Sequence, residues 1–215
     1  MKLSSLISTS LFLLLFVISC KDEPKSSDTV IETPTKKPTG GDISKFESLD
    51  HDFSITPEGS KLFVKGFFNK NLANAAITVN KGNLHIKDGM VSKGEFNLDI
   101  HSLVLVANRD ESLENFMKGS DAFNSAKYAT GSIIITACEK TINDQQATHL
   151  LKGTINLHGK TISFNVRVRI DYSPKYISIN SDQIIIKASD LGIKAADPSQ
   201  ENIYFSLTIN GNIIS

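Results

Sequence analysis

Strict alternation of apolar and polar side chains is the feature that most constrains the fold of this chain. Phe96, Leu98 and Ile100 are each separated by one polar or charged residue, and the same two-residue period recurs in residues 162–170 and 203–209. Successive side chains of a β-strand point to opposite faces, so this period predicts strands with one buried and one solvated face. Antiparallel sheets tolerate a solvated face. The alternation therefore predicts an antiparallel all-β sandwich or barrel.

Turn signals and one short helix complete this prediction. Asp88-Gly89 and His158-Gly159-Lys160 each separate two strand-like runs, which is typical of β-hairpins because glycine accepts a positive φ. A helix is predicted at residues 109–118, because the apolar residues there would lie on one face and acidic residues lie near the start. Shorter strands are predicted at 61–68, 75–80, 83–87, 132–138, 150–157 and 176–187.

The export signal lies at the start of the chain. Lys2 precedes an apolar run over residues 11–18, and Ser19 and Cys20 follow directly after this run. A run of this length is too short to cross a membrane as a helix, and it is typical of a secretory signal. The segment resembles the lipobox of bacterial lipoproteins, in which the cysteine is acylated after cleavage. An ordinary signal peptide with an incidental cysteine is the alternative.

These features predict a lipoprotein signal peptide at 1–19, a lipidated and disordered tether at 20–45, and one folded domain at 46–215. Cys20 would anchor the chain in a membrane of the cell envelope, and we expect the outer membrane. Residues 21–23, Lys-Asp-Glu, resemble a surface-export signal, although a charged solvated tether accounts for them equally well. The sequence therefore leaves the periplasmic face and the cell surface open.

Composition excludes several function classes. The chain has 23 basic and 23 acidic residues, so it lacks the positive charge that nucleic-acid binding requires. With Cys20 assigned to the lipobox, Cys138 has no partner for an intrachain disulfide, and we expect a buried, unreactive thiol.

We find no catalytic motif, so the prediction is a protein that is not an enzyme. We also predict no metal site, because the five histidines are scattered; His101 and His158 fall on polar faces and are expected to be exposed.

Four segments together resemble the YceI-like family. They are GEFNLDIHSL at 94–103, LENFMKGSDAFNSAKY at 113–128, LKGTINLHGKT at 151–161 and SDLGI at 189–193. They occur in the order and spacing of that family over roughly residues 58–213. The resemblance implies an eight-stranded, lipocalin-like antiparallel barrel with a short helical insert. It also implies an interior that holds a polyisoprenoid or an isoprenoid quinone.

Eight apolar residues are the predicted lining of that cavity. Alternation selects the wall residues, and Phe116 and Phe123, on the helical insert and its exit, could cover one end. The simpler interpretation of Phe96, Phe164 and Phe205 is that they are ordinary core. The predicted set is Phe96, Leu98, Ile100, Phe116, Phe123, Phe164, Val166 and Phe205.

The chain departs from the family pattern at four positions. Ala122 stands in place of a Phe, Ala129 in place of a Pro, Ala188 in place of an Arg, and Leu191 in place of an aromatic residue. These changes could enlarge a cavity or mark a repacked core.

Two functions therefore remain open. The first is a tethered protein that sequesters or shuttles an apolar lipid without any bond chemistry. The second is an interaction lipoprotein whose barrel core is filled and whose surface binds a partner. No cofactor is expected beyond a bound lipid of this kind, and a homodimer is compatible with either function.

Overall fold

The computed structural model of the chain describes residues 50–107, 109–141, 146–173, 175–195 and 197–214. The predicted signal peptide, Cys20 and the tether at 20–45 lie outside the described residues. The described residues form ten strands, one α-helix and two 3₁₀ turns. The strands are β1 (Asp50–Ile55), β2 (Lys61–Phe68), β3 (Asn71–Lys87), β4 (Met90–Leu105), β5 (Thr130–Lys140), β6 (His149–Leu157), β7 (Lys160–Tyr172), β8 (Tyr176–Ser181), β9 (Ile184–Lys187) and β10 (Asn202–Ile213); α1 is Glu111–Lys118, and the 3₁₀ turns are Ala188–Leu191 and Pro198–Gln200.

The last strand closes the sheet into a barrel. Strands β2 to β8 pair in sequence order, and β10 pairs with β2 on one side and with β8 on the other. This gives a ring of eight antiparallel strands. β1 pairs with β10 and β3, and β9 pairs with β10. The predicted antiparallel eight-stranded barrel with a short helical insert is confirmed.

The predicted strands differ from the observed ones in three places. The segments at 75–80 and 83–87 belong to one long strand, β3, whose pairing with β4 shifts between Val79 and Lys81. The segment at 176–187 is divided into β8 and β9, and β1 was not predicted as a strand. The helix begins at Glu111, with the Asp110 carboxylate accepting a hydrogen bond from the Leu113 N–H as its N-cap.

Motif glycines make room for aromatic rings on the inner face. A Cβ at Gly153 would lie 2.2 Å from the Ile134 carbonyl oxygen and 2.9 Å from the Phe164 ring. Gly153 pairs with Phe164 across β6 and β7, so the ring of Phe164 covers the glycine. The glycine of the LKGTINL segment is therefore required by close packing between β5, β6 and β7.

We predict that Gly153→Ala destabilises the barrel by about 1–3 kcal/mol, because the added methyl group meets backbone that cannot move away cheaply. The measurement is the free energy of unfolding in denaturant. Ser163→Ala, at an exposed position on β7, is the control and is expected to change stability by less than about 0.5 kcal/mol. Equal stability of Gly153→Ala and the wild type would contradict this packing account.

His149 is a buried titratable group at the start of β6. Burial is the main cause that lowers the pKa of its imidazole, and the positive charge of Lys140 adds to it. Its Nδ1 lies 2.9 Å from the Thr148 hydroxyl. The unfolded chain therefore takes up a proton on this residue at a higher pH than the folded chain does.

The consequence is a loss of stability as the pH falls through about 6.5, the ordinary pKa of histidine, because the unfolded state then binds more protons. We predict that His149→Gln reduces the difference in unfolding free energy between pH 7.5 and pH 5.5. His101→Gln, at an exposed position, is the control and should keep the wild-type difference. An unchanged pH dependence in His149→Gln would show that another group is responsible.

Candidate functional site

The barrel wall is incomplete between β7 and β9. The pairing of β7 with β8 covers only residues 168–172 of β7, whereas its pairing with β6 covers 160–168. β9 pairs with β10 alone. Within the described residues no backbone ladder joins β7 to β9. We call the space between residues 161–167 of β7 and 184–187 of β9 the β7–β9 gap.

Specific contacts bound the gap at each end. At one end the Asp182 N–H donates to the Arg167 carbonyl oxygen at 2.9 Å, and the Arg167 guanidinium lies 2.7 Å from the Asp182 carboxylate. At the other end His158 Nδ1 lies 2.7 Å from the carbonyl oxygen of Leu191 and donates to it. The β8–β9 turn and the 3₁₀ turn after β9 thus fix the two ends of the gap.

His158 corrects one sequence-based expectation. It was predicted to be solvent-exposed, but it is half-buried and its Nε2 is enclosed. The Tyr128 ring lies 4.7 Å from its imidazole in an edge-on arrangement, and a Cβ at Gly159 would lie 2.8 Å from that ring. Gly192, in the left-handed region at φ 71°, lets the chain turn beside the imidazole. Local alternation could not show this cover, because Tyr128 and Leu191 come from distant parts of the chain.

The apolar side chains beside the gap are buried, like the rest of the core. Phe164 and Ile184 are 8% and 7% exposed, and Val166 is 5% exposed. Leu98 and Phe205, deeper in the same cluster, are 0% exposed. The gap is therefore closed by apolar side chains, although no backbone ladder crosses it in the described residues.

The structure brings the eight predicted lining residues into one apolar core, but it places only two of them at the gap. Phe164 and Val166 are the two on β7. Phe123 is buried with its ring centroid 5.7 Å from that of Phe68, and Phe116 is half-buried against the edge of the core. The remaining four, Phe96, Leu98, Ile100 and Phe205, are fully buried in the interior. Their role in ligand binding stays a prediction.

Sequence reasoning missed the residues on the opposite side of the gap. Ile184 and Ile186 point into the core, whereas Ile185 between them is 60% exposed. This short alternation was visible in the sequence as part of the predicted segment at 176–187. What it did not reveal is that this strand pairs on one edge only.

The four departures from the family pattern lie in structural positions. Ala122, Ala188 and Leu191 are buried in the core, and the Ala129 carbonyl accepts a hydrogen bond from the Ile100 N–H at 2.9 Å. Leu191 bonds to His158 through its backbone carbonyl oxygen, which any residue at this position would provide. The change from an aromatic residue at this position therefore leaves the hydrogen bond to His158 intact.

Other kinds of site find no support in the described part of the chain. No three His, Cys, Asp or Glu residues there are grouped so as to hold a metal ion. Cys138 is partly buried within β5, and this burial raises the pKa of its thiol, which disfavours the reactive thiolate. None of the described helices is both long and apolar enough to span a membrane.

Comparison with known families agrees with this architecture. A sequence model of the YceI-like domain matches residues 53–213. The chain belongs to the YceI-like family. A search of curated protein sequences finds no significant match.

Two solved structures share the fold of this YceI-like chain. A polyisoprenoid-binding domain from Saccharophagus degradans, described as implicated in plant cell wall breakdown, aligns with a TM-score of 0.56 and 14% identity, over 75% of this chain and 98% of its own. BcnA from Burkholderia cenocepacia aligns with a TM-score of 0.53 and 12% identity, over 73% of this chain and 98% of its own. At such identities the similarity establishes the fold.

We predict that His158→Ala destabilises the end of the gap at the 3₁₀ turn after β9 by about 1–3 kcal/mol, because the Leu191 carbonyl loses its hydrogen-bond donor. Hydrogen–deuterium exchange should show faster exchange in residues 188–193, which follow β9. His101→Ala, at an exposed position on β4, serves as the control and should leave exchange there unchanged. Wild-type exchange in His158→Ala would mean that the histidine does not hold this end of the gap.

Proposed function

We propose that this YceI-like barrel binds one apolar lipid of the isoprenoid type, without bond chemistry, and that the lipid passes through the β7–β9 gap. The observation that carries the proposal is the missing backbone ladder between β7 and β9 in the described residues, beside the buried apolar side chains of Phe164, Val166 and Ile184. A part of the wall that is closed by apolar side chains and not by a ladder suits the entry of a long hydrocarbon, which gains about 25 cal/mol for each Å² of apolar surface removed from water.

The solved relative from Saccharophagus degradans supports the ligand class, since its description names polyisoprenoid binding. The composition of the core is compatible with the same class. The residues around the gap are Phe, Val and Ile, whose side chains place no buried polar group against a hydrocarbon. The polar end of such a lipid would then remain near the Arg167–Asp182 pair at the surface.

Uptake requires the wall to open. Leu98 and Phe205 have no accessible surface, and protein interiors are packed to about the density of organic crystals. β9 is the element suited to move, because it has four residues and only one paired edge. Displacing β9 away from β7 would widen the gap without breaking the ring that β10 forms with β8.

The cellular setting belongs to the same proposal. The lipobox-like segment supports acylation of Cys20, which would tether the domain to a membrane of the cell envelope, and we propose the outer membrane. The tether would keep the barrel near the lipid it binds. The membrane partner and the side on which the domain lies rest on the sequence alone.

A second candidate is the interaction lipoprotein with a filled core. The full burial of residues such as Leu62, Leu98 and Phe205 favours it, because a side chain at 0% exposure leaves no open space beside it. The two candidates differ in whether the core opens to admit a lipid.

Lipid extraction separates these candidates. The mature chain carrying Cys20→Ser would be purified, extracted with organic solvent, and the extract examined by mass spectrometry. We expect a polyisoprenoid or isoprenoid quinone at a near-equimolar ratio to protein. A protein that is purified empty, and stays empty after incubation with such lipids, would favour the filled-core candidate.

A matched pair of variants on β9 tests the route. Ile184→Gln faces the core at the gap and is expected to weaken binding of a quinone with a two-unit isoprenoid tail by about tenfold, because it places an amide against the hydrocarbon. Ile185→Gln, the outward neighbour, should bind as the wild type does. Isothermal titration calorimetry gives both affinities, and circular dichroism verifies the fold; equal weakening by the two variants would contradict a route through the gap.

A further inference from the structure

The outer face of β2, β3 and β4 carries a group of exposed apolar side chains. We call it the β2–β4 outer patch. Its members are between 37% and 56% exposed, although the outer face of a barrel of this kind is ordinarily polar. They are Phe63, Phe67, Leu72, Val104 and Val106.

Strand register makes this patch continuous. Phe67 pairs directly with Leu72 across the β2–β3 hairpin. Phe63 pairs with Ala76, which in turn pairs with Val104, and the Val106 N–H donates to the Asn74 carbonyl oxygen at 2.9 Å. Ala76 also points outward but is only 5% exposed, because side chains on both sides of it cover it. The exposed residues therefore form one surface.

Lysines are interleaved with this apolar surface. Lys65 lies between Phe63 and Phe67 on the outer face of β2, and Lys70 lies in the tight turn that joins β2 to β3. Both are exposed, and no ion pair involves either of them within the described residues. Two carboxylates border the patch, and both are already bonded: Asp110 is the N-cap of α1, and Glu114 accepts from the Leu105 N–H and pairs with Lys118. The patch is thus both apolar and positively charged.

This combination selects the kind of partner. Aromatic and aliphatic side chains mixed with lysines suit the interface of a membrane, where the rings enter the headgroup layer and the ammonium groups meet anionic phosphates. A two-fold dimer through the same face would bring two lysines of each copy, Lys65 and Lys70, to one interface, where the bordering carboxylates are already bonded within their own copy. Charge complementarity therefore favours an anionic lipid surface over a second copy.

We propose that the β2–β4 outer patch docks the barrel side-on to a lipid surface that carries anionic headgroups. The contact is peripheral, through Phe63, Phe67 and Leu72 with Lys65 and Lys70, and does not insert the barrel. The patch lies on different strands from the β7–β9 gap, so an experiment can find membrane docking without lipid binding inside the barrel, or the reverse.

The absence of Trp from the chain allows a direct test, because a single introduced Trp is a unique fluorophore. The probe protein is the mature chain with Cys20→Ser and Phe67→Trp. The lipid probes are vesicles of phosphatidylcholine alone and vesicles with about one third phosphatidylglycerol. Ile134→Trp is the control, since Ile134 is similarly exposed but lies on β5. Phe63→Trp replaces the probe if Phe67→Trp is unfolded.

We expect a blue shift of the Phe67→Trp emission with phosphatidylglycerol vesicles, and partitioning at least about tenfold stronger than to phosphatidylcholine. Adding Lys65→Glu and Lys70→Glu should remove that preference, and the control Trp should not shift. No shift with either vesicle, or the same shift in the Ile134→Trp control, would overturn the proposal. A shift that grows with protein concentration in the absence of vesicles would instead assign the patch to a second copy of the chain.

Discussion

Closure of the barrel by β10 is the constraint on which the rest of the structure depends. One edge of β10 is bonded to β2 and β1, and the other edge to β8 and β9. This arrangement removes the free edges that an eight-stranded open sheet would leave, except along the β7–β9 gap. It also encloses the inner apolar face, so the domain needs no disulfide to hold a large core together. The enclosed face is what makes an apolar lipid the natural candidate ligand.

The same closure explains where the wall is weakest. β10 is long enough to pair with both β8 and β9, but no described strand forms a ladder with the other edge of β9. β7 therefore faces β9 across the β7–β9 gap without a backbone ladder. The family segments containing Tyr128, His158 and Leu191 meet at one end of the gap, where they make packing and hydrogen-bond contacts. These family segments thus make structural contacts at the edge of the candidate site.

Local pattern predicted the inner face of the barrel but not its boundaries. The two-residue period identified Phe96, Phe164 and Phe205 as inward-facing, because this property depends only on alternation along one strand. It could not identify β1, whose two buried residues, Phe53 and Ile55, are too few for a periodic signal. The expected number of strands and the expected cavity came from the resemblance to a family, because closure of a barrel depends on contacts between distant parts of the chain.

The gap and the half-buried His158 escaped prediction for the same reason. The gap begins where Asp182 binds Arg167, and these two residues are 15 positions apart in the chain. The cover of His158 depends on Leu191, 33 residues away. The β2–β4 outer patch was equally hidden, because Phe63 and Val104 become neighbours only through Ala76 on the strand between them.

The most direct test of lipid binding inside the barrel is to detect the ligand next to named side chains. In isotope-filtered NMR of the mature chain saturated with a short-chain isoprenoid quinone, the account predicts intermolecular nuclear Overhauser effects from the isoprenoid tail to the methyl groups of Val166, Ile184 and Ile186. Ile185, which points outward on the same strand, should show none. Effects confined to outward-facing residues such as Ile185 and Leu72 would contradict the account and place the lipid on the outside of the barrel.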